Sequence, residues 1–196
     1  SRSDGVLLQR AAGSHDPIAE VCPYAFRLPV APLSAARAER KTIRVTTILR
    51  AFRALRQKHD LVVVEGVGGL HVPITGTIDG LDLIQRIGLP VIVVGQAGLG
   101  GVNHALLTLH ALRRSKIPIV ALVLNRRRPV RTKIARAQER STVTLLRRLA
   151  KVPIVGPLPY RAGLNRSWND GLMQLAWTVE IMTLAKLVSA YGRENS

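Results

Sequence analysis

Four short stretches of the sequence put polar or glycine residues where anions, metal ions or planar rings can be held. The first is Glu65-Gly66-Val67-Gly68-Gly69, which directly follows Leu61-Val62-Val63-Val64. A carboxylate closing a three-valine strand is costly to bury unless a cation offsets it. The glycines let the chain turn sharply and let a ligand approach the backbone. A Mg²⁺ ion shared with nucleotide phosphates would supply the positive charge, and so would a paired arginine. The second stretch is Gly95-Gln96-Ala97-Gly98-Leu99-Gly100-Gly101-Val102-Asn103-His104, which opens a helix. Free N–H groups at such a start form an anion site for a phosphate or a carboxylate; a turn that merely needs glycine accounts for the same residues. In the third, Leu124-Asn125, a side-chain amide at a strand end can donate to and accept from a purine ring, or simply cap a turn. The fourth is Asp4, which from local sequence reads first as a helix N-cap. Neither glycine run is a dinucleotide fingerprint, because His71 and Asn103 occupy the third glycine position. The five histidines show no zinc spacing. No GxSxG or Cys–His arrangement suggests acyl transfer.

Elements that would position these residues follow from the apolar pattern. Leu61–Glu65, Val91–Gly95 and Ile119–Leu124 are short, continuous and rich in Val and Ile, as buried parallel strands are, and Ile154–Gly156 is a shorter candidate. Helical stretches lie at Thr42–Lys58, Gly80–Ile87, Val102–Ser115 and Arg131–Ala150. Gly-Leu-Pro, Ile-Pro or Val-Pro leads from a helix into the next strand, which stops the helix. Alternating strands and helices predict an α/β fold, a doubly wound parallel sheet with helices on both faces. In such sheets ligands collect outside the carboxyl ends of the strands, where all the stretches except Asp4 fall. The segment Pro17–Pro32 reads as an extended surface excursion. Asp170–Tyr191 reads as one long apolar helix of the core or an interface, since Gln174, Glu180 and Lys186 argue against a membrane span. The expectation is a single domain over residues 1–196, without repeats.

Composition narrows the function classes. With 47% hydrophobic residues the chain is not a disordered tail. The 29 Lys and Arg against 12 Asp and Glu give a net charge of +17, which fits either a nucleic-acid patch or a basic surface. The basic residues are scattered, densest at Arg126–Lys133, and aromatics are only 4%, so stacked single strands find few platforms; nucleic acid is not the expected partner. The single Cys22 cannot form an internal disulfide, which suggests a reducing, cytoplasmic compartment. No apolar run is long enough for a membrane helix.

Taken together, the motifs resemble the dethiobiotin synthetase family, ATP-dependent enzymes of the P-loop class. The resemblance is carried by Ser3-Asp4 with Leu8-Gln9-Arg10, by Pro23-Tyr24-Ala25-Phe26, by Val64-Glu65-Gly66-Val67-Gly68-Gly69-Leu70-His71-Val72-Pro73, by Gly98-Leu99-Gly100-Gly101-Val102-Asn103-His104, and by Val123-Leu124-Asn125 and Leu158-Pro159-Tyr160. It runs from the first residue to about Tyr160. It implies a P-loop NTPase-like sheet, a homodimer, and a ligase reaction in which 7,8-diaminopelargonate takes up CO₂ as a carbamate. ATP phosphorylates the carbamate, and the second amine closes the ureido ring of dethiobiotin, releasing ADP and phosphate. The resemblance assigns Asp4 and Glu65 to Mg²⁺ and the nucleotide. It assigns Gly66, Val67 and Gly68 to the phosphates, Asn125, Pro159, Tyr160 and Arg161 to adenine, and Arg126 to ATP. Gly98, Leu99, Gly100, Gly101 and Asn103 would hold the substrate carboxylate, across the homodimer interface.

The sequence also departs from the family pattern. It contains no Gly-x-x-x-x-Gly-Lys-Ser/Thr. In the family that loop follows the first strand, and a lysine after the second strand assists the carbamate; no catalytic residue is therefore assigned within residues 1–196. A strand, loop, helix and strand take at least about 30 residues, and the expectation is that the chain is a fragment lacking that unit. Leu33 stands where the family often has His, and Arg166 stands near an expected acidic ribose contact. The alternatives are a non-catalytic or regulatory relative without the P-loop, and a synthetase of the cobyrinate-amidation type.

Overall fold

The computed structural model describes residues 4–162 and 168–194. Its contacts divide into two compact units, Ser1–Leu89 and Pro90–Ser196, each taken by itself below.

The first unit is helical where it is regular, with α1 at Asp4–Ala11, α2 at Ile18–Val21, α3 at Pro32–Ala38, α4 at Val45–Lys58 and α5 at Gly80–Ile87. Amphipathy organises α4: Ile48, Leu49, Phe52 and Leu55 are half-buried, whereas Arg50, Arg53 and Arg56 face solvent. Its C-terminal end is tied down by Lys58, whose ammonium reaches Glu20 at 2.6 Å, and by His59, whose Nε2 lies 2.6 Å from an Asp16 carboxylate oxygen. The segment Pro17–Pro32 is less extended than expected. Proline fixes a helical φ and lacks an amide that a first turn leaves unused, so Pro17 introduces α2 and Pro32 opens α3.

Leu61–Glu65 corrects the expectation of a buried strand. It pairs with no strand among the described residues, and Leu61 and Val63 are 67% and 80% exposed. A strand exists through its ladder of hydrogen bonds. Where no neighbour supplies that ladder, even a run of valines stays irregular and wet.

The second unit carries the sheet. Strand β1 (Val91–Gln96), helix α6 (Gly101–Arg114), β2 (Ile119–Asn125), α7 (Lys133–Leu149) and β3 (Ile154–Leu158) alternate, followed by α8 (Trp168–Ala176) and α9 (Val179–Glu194). The strands pair in parallel in the order β1-β2-β3. On one face Leu122 and Leu124 point toward Gly95 and Ala105 of α6. On the other, Ala121, Val123 and Val155 pack against Leu184, Leu187 and Val188 of α9. Helices therefore cover both faces, and the central strand is buried from Val120 to Leu124. The doubly wound α/β reading holds for this unit. A parallel strand covered on both sides must be apolar at every buried position, which is why β2 reads as a continuous run.

The expected single helix over Asp170–Tyr191 is instead two, bent by 67°. Thr178 explains the break. Its amide and its hydroxyl both donate to the Leu175 carbonyl, at 3.0 and 2.7 Å, closing α8, and its own carbonyl receives the Met182 amide that starts α9. No single helix among the described residues is long and apolar enough to cross a membrane.

Candidate active site

In the first unit, Asp4 lies in the first turn of α1 and is exposed. Glu65 is also exposed and makes no hydrogen bond or ion pair among the described residues, so the arginine partner allowed by the sequence is not there. The glycine turn after it is shaped by Gly68, at φ +71°, where a side chain would be strained and its Cβ would come within 2.8 Å of Val72. The turn is held at the start of α5: the Leu81 amide donates to Leu70 at 2.8 Å, and the Gly80 amide to Val72 at 3.2 Å. A capping box fixes that start, with the Asp82 amide donating to Asp79 at 2.9 Å and the Asp79 amide to Asp82 at 3.0 Å. His71 Nδ1 stands 2.8 Å from the second Asp79 oxygen. The Asp82 amide first, and His71 second, hold the Asp79 carboxyl below its ordinary range. The Asp79-Gly80-Leu81-Asp82 spacing carried this signal in the sequence; its tie to His71 and the glycine turn was not foreseen.

In the second unit, the turn between β1 and α6 is tightly fitted. Gly100 is at φ +85° and leaves α6 without a side-chain cap. Gly101 is buried so closely that a Cβ would overlap the Gln96 carbonyl oxygen. Gln96 Nε2 donates to the Leu99 carbonyl at 3.2 Å, and Thr142 of α7, buried, donates its hydroxyl to the Gly98 carbonyl at 3.2 Å. The Val102 and Asn103 amides at the head of the helix have no partner among the described residues, and the Asn103 side chain is exposed. The helix dipole and two free donors at an uncapped start favour an anionic group.

The ends of β2 and β3 frame a second feature of this unit. Asn125 is paired through its backbone to Gln96 and Leu158, and its side-chain amide is exposed. Beside it opens a shallow groove of about 480 Å³ lined by Arg126, Pro129, Val130, Arg136, Glu139 and Tyr160. Arg126 is gripped by Glu139 through two hydrogen bonds, Nε to Oε2 at 2.7 Å and Nη2 to Oε1 at 2.8 Å. Glu139 pushes the Arg126 guanidinium further above its ordinary pKa. Pro159 is half-buried, and Arg161 is exposed after Tyr160. Of the residues expected at ATP, Arg126 and Tyr160 thus line one groove, with Asn125 and Pro159 adjacent in sequence. Glu139 and Thr142 carry no signal in the sequence, since no local pattern marks a contact across 13 or 44 residues.

A family model described as an AAA domain matches residues 1–167. The ATP-dependent dethiobiotin synthetase of Thermodesulfovibrio yellowstonii is 39% identical over 84% of the chain and 70% of its own length. This chain belongs to the dethiobiotin synthetase family. A synthetase of the same name from Anaeromyxobacter dehalogenans is 48% identical over 65% of the chain, and one from Xanthomonas axonopodis pv. citri is 33% identical over 88%. The chain spans 57% of the length of the Anaeromyxobacter relative. Against the family pattern, Leu33 is half-buried and its amide donates to the Pro73 carbonyl at 3.2 Å. Arg166 lies outside the described residues.

Proposed function

We propose that the protein acts as an ATP- and Mg²⁺-dependent dethiobiotin synthetase, forming C–N bonds in a homodimeric, cytoplasmic enzyme. The reading rests most on the carboxyl edge of the sheet. There, in a member of this family, an uncapped glycine-rich helix start and a groove holding Arg126 and Tyr160 follow successive parallel strands. That edge is where open α/β sheets take their ligands.

One amine of 7,8-diaminopelargonate attacks CO₂ and loses a proton, giving a carbamate. A carbamate oxygen attacks the γ-phosphorus of ATP and ADP leaves. The second amine then attacks the carbonyl carbon and loses a proton, phosphate leaves with the C–O electron pair, and the ureido ring closes. Such a sequence asks the protein mainly for positioning and charge neutralisation. The Gly98–Gly101 turn and Asn103 hold the substrate carboxylate at the α6 start, across the dimer interface. Asn125, Pro159, Tyr160 and Arg161 hold adenine, and Arg126 binds ATP. The resemblance to the family assigns the phosphates to Gly66, Val67 and Gly68.

Asp4 and Glu65 suit Mg²⁺ by their donor chemistry. Both are exposed carboxylates without a hydrogen-bond partner among the described residues, and Mg²⁺ keeps several waters while taking one or two carboxylates alongside phosphates. No cluster of three or more His, Cys, Asp or Glu side chains forms a dedicated cage among the described residues. When bound, the ion offsets phosphate charge. Supplying the protein with diaminopelargonate, bicarbonate and ATP is expected to release ADP and dethiobiotin together, and an absence of substrate-dependent ADP release overturns the reading. Glu65→Gln is expected to lower kcat at least tenfold, the scale of one lost charge contact in a transition state; unchanged kinetics removes Glu65 from the metal site.

A further inference from the structure

Arg126 enters the groove directly after β2, on a side chain with several rotatable bonds, among the like charges of Arg127, Arg128, Arg131 and Arg136. Left alone, such a guanidinium samples many rotamers and is pushed outward by its neighbours. Among the described residues Glu139 is the single carboxylate in the groove lining. Its side chain is 14% exposed against 31% for Arg126, so the acid is the more deeply seated and the more fixed partner. It stands on α7, three residues before the buried Thr142 that is anchored to Gly98. Both its oxygens are engaged, and a two-point contact fixes the plane of the guanidinium as well as its position. Two of the five guanidinium N–H donors are used in this grip, leaving three for a ligand. The same lining also holds the Tyr160 ring, the aliphatic Pro129 and Val130, and Arg136. An oriented planar cation, an aromatic ring and apolar carbons together suit a heteroaromatic base.

We propose that Glu139 is a positioning residue for the nucleotide base, acting entirely through Arg126. This rests on the nucleotide reading of the groove and goes beyond it, because Glu139 touches no substrate and owes its effect to the orientation it imposes. Glu180 of α9 also acts electrostatically on Arg126, but it forms no two-point grip and does not replace Glu139.

Calorimetric titration of the full chain with Mg-ATP tests the proposal on four proteins: wild type, Glu139→Gln, Arg126→Ala and the double variant, each checked by thermal melting. Glu139→Gln is expected to weaken binding roughly tenfold, as loss of a charge-assisted contact would. Arg126→Ala should weaken it at least as much, and the double variant no more than Arg126→Ala alone, because groups acting in series are not additive. Wild-type affinity in Glu139→Gln, or losses that multiply in the double variant, overturns the proposal. Should Glu139→Gln not fold, Glu139→Asp takes its place; it draws the carboxylate back by one methylene, and its smaller loss must likewise vanish in the Arg126→Ala background. A wild-type chain that retains no ATP removes the nucleotide reading and this inference together, whereas retention with multiplying losses removes this inference alone.

Discussion

Asp16 accepts the Ser14 hydroxyl and faces the His59 ring, each at 2.6 Å, and its side chain is only 8% exposed. The Ser14 hydrogen bond first, and the His59 contact second, lower its pKa from 3.8 to about 2. A carboxyl depressed on folding adds stability that is complete above its unfolded value and lost as pH falls through the folded one. The window therefore lies between 3.8 and about 2. Asp16→Asn is expected to lower the melting temperature near neutral pH and to shrink the further drop between about pH 5 and pH 2.5, followed by circular dichroism; an undiminished acid drop would show that this carboxylate does not link folding to protons. Single residues were legible in the sequence where they stand at the end of an element, as Asn125 and the Gly98–Gly101 turn do. Asp16, Glu139 and Thr142 were not, because each owes its role to a partner brought near only by the fold.

Among elements, β1, β2 and β3 were legible because an apolar run entered through a proline has few other uses. The same composition misled at Leu61–Glu65: hydrophobicity records a need for cover, but only a neighbouring strand can meet it. The break between α8 and α9 is invisible in the apolar pattern for a different reason. Thr178 interrupts the helix with two hydrogen bonds to Leu175 while barely altering the apolar pattern. The turn before α6 makes a sharper claim. At Gly101 an added methyl has no room, since it meets backbone of Gln96 and then, at 3.3 Å, Thr142. Gly101→Ala should therefore lower unfolding stability by about 1–3 kcal/mol, as forced overpacking does, read as a shift of the urea midpoint. An unshifted midpoint would mean that the turn yields freely.

For the whole molecule, the charge of +17 favours anions near the surface without selecting among them. Selection lies in the order of the motifs along the chain, which is why family membership was legible in the motifs and not in the net charge. The contrast between the two kinds of valine-rich segment can be measured directly. Amide hydrogen exchange is expected to be fast across residues 61–67 and slow across Ile119–Asn125, whose amides lie in a buried ladder. Equal protection would mean that Leu61–Glu65 has found a strand partner. The sheet order β1-β2-β3 also sets a course for folding. Among the described residues β2 joins β1, and β3 joins β2, each after a single intervening helix, so these two pairings link neighbouring parts of the chain. A ribosome releasing this unit from its N-terminal side can thus add the sheet one βα step at a time, with β2 hydrogen-bonded along one edge before β3 emerges to cover the other.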